Sequence, residues 1–179
     1  MIDVHFKATY SRPTDWCALF PIKINVFLWR LKLHRLATKD NLVRRDVILQ
    51  NNKCSWCDQF EETENHIFVS CDISKQVWSN VGVWLGTPVS SWNSMKDFWS
   101  WIDSNLLQGK KKMIVQCICF SALWNLWHLR ISYIFNDTSF RIHHVMDNII
   151  VTAFFWIFSR YKKGTINWSM WLQNPMDSL

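Results

Sequence analysis

The stretch CSWCDQFEETENHIFVSC, residues 54–71, is the most informative part of the chain. Its cysteines and histidine follow the pattern Cys54-x2-Cys57-x8-His66-x4-Cys71. Three thiolates and one imidazole are a donor set typical of structural zinc, which is tetrahedral and bound by four protein ligands. The spacing therefore predicts a zinc ion held by these four side chains.

Burial in a core is the alternative explanation, because free cysteine commonly behaves as a small buried hydrophobe. A Cys-x2-Cys followed at once by a His-x4-Cys seldom arises by chance, whereas Cys17, Cys117 and Cys119 have no partner spacing. Cys117 and Cys119 lie in an apolar stretch and are predicted to be core. His66 and Cys71 are five residues apart, about 140° around an ideal α-helix. A helix that presents both to one ion must end or bend between them.

The composition favours a helical fold. Of the 179 residues, 49% are hydrophobic, with 13 Trp and 12 Phe, which excludes a disordered chain. Only four Gly and four Pro are present, too few for the many tight turns of an all-β sandwich.

Apolar periodicity and capping residues divide the chain into helices. Thr38, Thr63 and Ser94 are predicted N-caps, and residues 73–85 carry an apolar stripe at helical spacing. Two long apolar helices are expected at roughly 111–135 and 141–161, joined by NDTSF, with an irregular tail after them.

These elements predict a mostly α fold, in which a small irregular zinc-bearing helical lobe precedes a helical hairpin of two long apolar helices. The predicted organisation is an N-terminal extension over residues 1–15, a zinc-binding domain over 16–89 and a helical C-terminal region over 90–179.

A membrane partner is not expected. The longest apolar stretches, 113–129 and 145–158, contain polar residues and are shorter than the about 20 apolar residues of a typical span, so both are interpreted as buried helices. The N-terminus has no apolar run after a basic start, which predicts an intracellular protein, nuclear or cytoplasmic and not secreted, with reduced cysteines.

Charge is segregated along the chain, whose formal net charge is +6. Residues 23–53 carry eight Lys or Arg against two Asp, and residues 54–72 carry five acidic residues and no Lys or Arg. Phe27 and Trp29 interleave with the basic residues, a combination that binds phosphates and stacks bases. The alternatives are a solvated basic face and two core aromatics. The candidate nucleic-acid-binding residues are Lys23, Arg30, Arg35, Lys39, Arg44 and Arg45.

Catalytic motifs are missing from the sequence, which has no Gly-rich phosphate loop, no Gly-x-Ser-x-Gly and no His-Glu-x-x-His. Four protein ligands would also leave a zinc ion without the open position that a catalytic site keeps. The chain alone is therefore predicted not to be an enzyme.

The sequence resembles a known family over roughly residues 16–86. PIKINVFLWRLKLHRLATKDNLVRRDVI, then CSWC, then ENHIFVSCDISKQVWSNVGVWLG, is similar to the zinc-binding domain that follows reverse transcriptase in plant non-long-terminal-repeat (LINE-type) retrotransposons. Ala37 departs from the family, which favours Pro there, and this change does not touch the predicted ligands.

This resemblance implies a non-catalytic module that assists reverse transcription by gripping element RNA or target DNA. Its partners would be RNA or DNA, with a reverse transcriptase polypeptide or another protein as a further candidate. The alternative is a structural or protein-interaction domain whose zinc only holds the fold.

Overall fold

The computed structural model describes residues 16–87, 89, 92–104, 108–136, 142–162 and 164–178. Over these residues the chain is helical and contains no β-strand, only one isolated antiparallel bridge between Lys53 and Glu61. The helices are α1 (Ile22–Lys32), α2 (Lys39–Val43), α3 (Asp72–Leu85), α4 (Met95–Asp103), α5 (Gly109–Asn136), α6 (Ile142–Arg160) and α7 (Trp168–Gln173). The predicted mostly α fold is confirmed, whereas the predicted extension and most of the NDTSF linker lie outside the described residues.

The two long apolar helices are present as expected. α5 packs more extensively against α6 than against any other described helix. Their contact surface buries apolar side chains such as Leu123 and Ile149, and the Ser121 hydroxyl donates a hydrogen bond of 3.2 Å to the Ile149 carbonyl. A hydroxyl inside this apolar surface is satisfied by that bond, so its burial carries little penalty.

One hydrophobic core joins the front of the chain to the two long helices. The Phe27 ring on α1 lies 5.3 Å from the Trp124 ring on α5 and 6.1 Å from the Phe68 ring, centroid to centroid. Phe20 similarly contacts Phe120 at 5.3 Å and Trp156 at 5.4 Å. The core is therefore continuous across residue 89, where the sequence predicts a boundary between two regions.

The predicted helix caps are confirmed. The side chains of Thr38, Thr63 and Ser94 each accept a hydrogen bond from the backbone N–H three residues later, at 3.3, 3.0 and 3.2 Å. Each bond satisfies an N–H that has no partner within the first helical turn. α3 ends at Gly86, whose φ of +61° is a left-handed conformation that glycine adopts without strain.

The prediction of an irregular tail is wrong. Asn167 caps α7 by accepting a hydrogen bond of 3.1 Å from the Met170 N–H. Trp171 on this helix is 0% exposed, and its ring lies 5.1 Å from that of Trp84 on α3. Its indole N–H donates to the Ile150 carbonyl at 3.0 Å. Burial of one large aromatic side chain orders a helix too short to be stable by itself.

The sequence predicts that α6 is buried, but one side of this helix is exposed. It buries Val145, Ile149 and Trp156, but Val151, Phe155 and Phe158 are exposed. By length and composition α6 could cross a membrane, and only 28% of its most apolar 18-residue window is buried in the fold. The helix thus has one apolar face in the core and a second apolar face that the described residues leave uncovered.

Candidate metal centre and basic groove

The four predicted metal ligands lie together. The Sγ atoms of Cys54, Cys57 and Cys71 and a ring nitrogen of His66 are all within 4.8 Å of one another. Cys57 Sγ lies 3.3 Å from His66 Nε2. Cys54, His66 and Cys71 are buried, and Cys57 is partly exposed. Residues separated by up to 17 positions are thereby brought to one point.

A tight turn presents the first pair of cysteines. The Asp58 N–H donates a hydrogen bond of 2.9 Å to the Cys54 carbonyl, and the Cys54 N–H donates one of 2.7 Å to the Phe60 carbonyl. Asp58 has φ +53°, a left-handed conformation that Asp tolerates better than most residues. This reversal places the Cys54 and Cys57 side chains on the same side of the turn.

A π-helical turn presents the second pair. His66–Ser70 forms one wide turn, closed by a hydrogen bond of 2.8 Å from the Cys71 N–H to the His66 carbonyl. A bond between residues five apart widens the helix, so positions that an α-helix separates by about 140° come to one side. Cys71 then has extended backbone (φ −64°, ψ 141°), and α3 begins at Asp72. The helix both widens and ends, as the spacing requires.

The arrangement fits a zinc ion. Tetrahedral bonds of about 2.3 Å to sulfur and 2.0 Å to nitrogen place ligand atoms about 3.5–3.8 Å apart. The Cys57 Sγ–His66 Nε2 separation of 3.3 Å is near this range, and all four ligand atoms lie within 4.8 Å of one another. His66 Nδ1 lies 3.4 Å from the Ser70 hydroxyl, so it can carry the proton while Nε2 faces the thiols. Burial lowers the pKa of His66, which favours the neutral imidazole that a metal requires.

Hydrogen bonding and burial shift the pKa values of two buried thiols in the cluster. A hydrogen bond between Cys54 and Cys71 raises the pKa of the Cys54 thiol and lowers that of Cys71, and burial raises both. A metal ion would relieve this situation because thiolate is the ligand form, and binding then releases protons. Cys117 and Cys119 lie in the core instead, where burial raises their pKa values, as the sequence predicted.

Two buried carboxylates hold the lobe around the cluster. Glu62 is 0% exposed, and its Oε1 accepts hydrogen bonds from Arg130 Nη2 at 2.6 Å and from the Lys39 N–H at 3.0 Å. Its Oε2 accepts one from the Ser55 hydroxyl at 3.1 Å. Glu62 therefore ties α5, α2 and the first cysteine turn to one point.

Glu64 performs a similar role between α1 and α2. It accepts hydrogen bonds from the Leu36 N–H and the Asn41 amide, both at 3.1 Å, and its Oε2 lies 2.8 Å from His34 Nδ1. Burial raises the pKa of Glu64, and the contact with His34 opposes this. Sequence reasoning missed both carboxylates. The available signal was Arg130, the one Lys, Arg, Asp or Glu in the apolar stretch 113–135, because a charge in such a stretch needs a buried partner.

Four of the six candidate nucleic-acid-binding residues meet at one concave surface, which we call the basic groove. Lys23, Arg30, Arg35 and Arg45 line it together with aromatic side chains that include Trp29 and Trp127. Its volume is about 690 Å³, and no carboxylate lines it. Within the described part of the chain, none of these four cations forms an ion pair with a carboxylate.

Lys39 and Arg44 do not line the basic groove. The Lys39 ammonium donates hydrogen bonds to the Asn51 side chain at 3.2 Å and the Lys53 carbonyl at 2.7 Å. Arg44 forms an ion pair of 3.1 Å with Asp40, one helical turn earlier. Both cations are thus engaged within the protein at places outside the basic groove.

The two aromatic residues of the basic segment have different environments. Phe27 is buried between Phe68, Trp124 and Trp127, so it belongs to the core. Trp29 remains 37% exposed and lines the basic groove. The core alternative therefore holds for Phe27, and Trp29 presents part of its indole to solvent.

Comparison with known proteins finds a family match in the front region. Residues 5–78, somewhat less than half of the chain, match the family described as zinc-binding in reverse transcriptase. This matched region contains all four members of the cysteine–histidine cluster. No curated protein and no solved structure gave a significant match.

Proposed function

We propose that the chain is a nucleic-acid-binding module that zinc stabilises, because residues 5–78 match a zinc-binding domain of reverse transcriptase and contain the cysteine–histidine cluster. It acts beside a reverse transcriptase and grips element RNA or target DNA. The matched family is an accessory zinc-binding domain and not a catalytic one, so no chemical step is assigned to this chain.

The observation that carries this proposal is the basic groove. Four cations from α1 and from the segments on either side of α2 face one cavity that no carboxylate lines. Like charges repel, so such an arrangement is favourable only when counterions or a polyanion occupy it. Phosphates of a polynucleotide satisfy that requirement, and their binding releases condensed counterions.

The cysteine–histidine cluster is connected to the basic groove through Glu62. Cys54 and Cys57 lie in the turn that Glu62 connects to the Lys39 N–H at the start of α2. Arg35 and Arg45 lie just before and just after α2, and the Arg45 guanidinium donates a hydrogen bond of 3.1 Å to the Arg35 carbonyl. A bound zinc ion would therefore fix the position of two of the four cations.

The cellular setting follows from the same reasoning. A module that assists reverse transcription in a LINE-type retroelement works inside the cell, in the nucleus or cytoplasm. There reducing conditions keep its thiols available as ligands. The reverse transcriptase polypeptide would be its natural protein partner.

Two double variants that lower the net charge by the same amount test the proposal. Arg30→Gln/Arg45→Gln removes two cations from the groove, and Arg44→Gln/Lys75→Gln removes two exposed cations that pair with Asp40 and Asp72 instead. Each lost phosphate contact should weaken single-strand binding about 5-fold in roughly 0.1 M salt, so the groove variant should lose about 25-fold.

The measurement is fluorescence anisotropy with a labelled single-stranded oligonucleotide. The control double variant should stay within about 2-fold of the wild type, because its cations contribute only to the general field of the protein. Equal losses in both variants would mean that net charge and not the basic groove binds the strand, and the proposal would fail.

The exposed face of α6 favours one alternative, a protein-interaction domain. Val151, Phe155 and Phe158 form an apolar stripe that would suit a partner helix. Under this alternative, the wild type binds nucleic acid weakly and both double variants bind it equally weakly. Substitution of Phe155 and Phe158 by Ser would then abolish capture of the reverse transcriptase polypeptide.

A further inference from the structure

We infer that Trp29 is a stacking platform for an unpaired base, so that the basic groove takes single-stranded nucleic acid in preference to duplex. This inference rests on the proposed function and adds the kind of strand and the residue that recognises it.

Trp29 lines two cavities. The first is the basic groove, and the second, of about 290 Å³, is lined by Lys32, Trp99 and Asp103 among others. A residue that borders both cavities forms the ridge between them. A strand that follows the cations of the first cavity therefore passes over the Trp29 side chain on its way to the second.

Trp29 lies on the side of α1 that does not face the core. α1 buries Phe27, Leu28 and Leu31 on its inner side. Trp29 instead remains 37% exposed beside the cation Arg30. An apolar indole face in water costs free energy in proportion to its exposed area, and a stacked base would remove that cost.

Two cations on α1 are spaced to contact more than one nucleotide beside Trp29. Lys23 and Arg30 are seven residues apart on α1, about 10 Å along the helix axis. Successive phosphates of one strand lie about 3.4 Å apart along a duplex axis, so the two cations span more than one nucleotide. Lys32, next along the helix, lies 4.8 Å from the centre of the Trp99 ring in the second cavity.

A duplex cannot use this arrangement fully. Its bases are stacked on one another, and a side chain reaches a base face only after the base has been unpaired and turned out. A single strand offers a free face at every base, and aromatic stacking tolerates any sequence. The expected preference is therefore for unpaired strands, with little sequence selectivity.

Two measurements on the zinc-loaded protein test the inference. A labelled single-stranded oligonucleotide is compared with a matched abasic strand, which has the same phosphates and no bases. Loss of one stacked base should weaken binding about 5- to 150-fold. RNA carrying 5-iodouracil should photocrosslink to Trp29, identified by mass spectrometry of the linked peptide.

Trp29→Leu should give the same loss as the abasic strand, while Trp29→Tyr, which keeps an aromatic face, should recover most of it. Trp168→Leu is the matched control. Trp168 is similarly exposed, at 40%, but it packs against Phe154 on α6 and does not line the basic groove. Thermal melting identifies any variant that has lost its fold, and the wild-type crosslink does not depend on a variant.

The outcomes separate this inference from the proposed function. Salt-dependent binding that is equal for normal and abasic strands would overturn the role of Trp29 and leave the proposed function standing. Absence of salt-dependent binding to any strand would overturn both. A crosslink at Trp168 in place of Trp29 would also contradict the inference.

Discussion

Removal of Arg130 should destabilise the whole molecule and not only the end of α5. The Arg130 guanidinium and the Glu62 carboxylate are both buried, with Nη2 and Oε1 2.6 Å apart. In Arg130→Met, Glu62 keeps its bonds to the Lys39 N–H and to Ser55 but loses the one ion-pair partner that the described residues give it. A buried carboxylate without a partner charge typically costs about 3–5 kcal/mol.

The effect should be visible as a lower melting temperature. For a chain of this size, about 1 kcal/mol corresponds to roughly 2–4 °C, so Arg130→Met should lower Tm by about 6–20 °C. Because Glu62 also holds Ser55, between the first two cysteines, the variant should release zinc at a lower chelator concentration than the wild type. Circular dichroism melting and a zinc-chelator titration measure the two effects.

A double variant and a surface pair serve as controls. Arg130→Met/Glu62→Gln removes both charges and should recover part of the lost stability, because no uncompensated charge remains. Lys75→Met removes an exposed ion pair of 3.2 Å with Asp72 and should cost less than about 1 kcal/mol. If Arg130→Met melts within 2 °C of the wild type, the reasoning that this ion pair joins the zinc lobe to α5 is refuted.

Three further outcomes are expected. Cys57→Ser should abolish stoichiometric zinc in native mass spectrometry, whereas Cys117→Ser should retain one zinc per chain, and the reverse result would move the site. Ser70→Ala should weaken zinc affinity about 10-fold in a competition assay, because the hydroxyl 3.4 Å from His66 Nδ1 orients the imidazole, and an unchanged affinity would rule this out. Trp171→Ala should cost about 3–5 kcal/mol in urea unfolding because the side chain is fully buried, so a loss below 1 kcal/mol would show that α7 is not part of the core.

Local chemistry made much of the fold and of the cluster predictable from sequence. Thr38, Thr63 and Ser94 act as caps because a hydroxyl at that position satisfies a nearby N–H, which requires no tertiary information. The cysteine–histidine spacing likewise predicted that the helix after His66 must end or bend, and the π turn does so.

Long-range contacts were not predictable in the same way. The partner of Glu62 lies 68 residues away on α5, and no periodicity connects the two positions. The tail was expected to be irregular because its own helical signal is weak, whereas Trp171 gains its order from Trp84, 87 residues earlier in the chain. Tertiary packing overrides local propensity in both cases.

The membership of the basic groove was likewise not predictable from local sequence. Sequence identified six candidate cations as one basic segment but could not distinguish those that share a cavity from those that pair internally. Arg44 and Arg45 are neighbours in the chain, yet Arg44 pairs with Asp40 and Arg45 lines the basic groove. The direction of each side chain depends on where α2 ends, which spacing alone does not fix.

The salt dependence of single-strand binding by the zinc-loaded wild type is the most direct test of the central claim. If the four cations of the basic groove each contact a phosphate, log affinity plotted against log salt should have a slope of about −2.8, at −0.7 per contact. The same slope should be found for RNA and DNA strands of different sequence, since phosphate contacts do not read bases. A slope near zero, or no measurable binding in low salt, would contradict a nucleic-acid-binding role for this zinc domain.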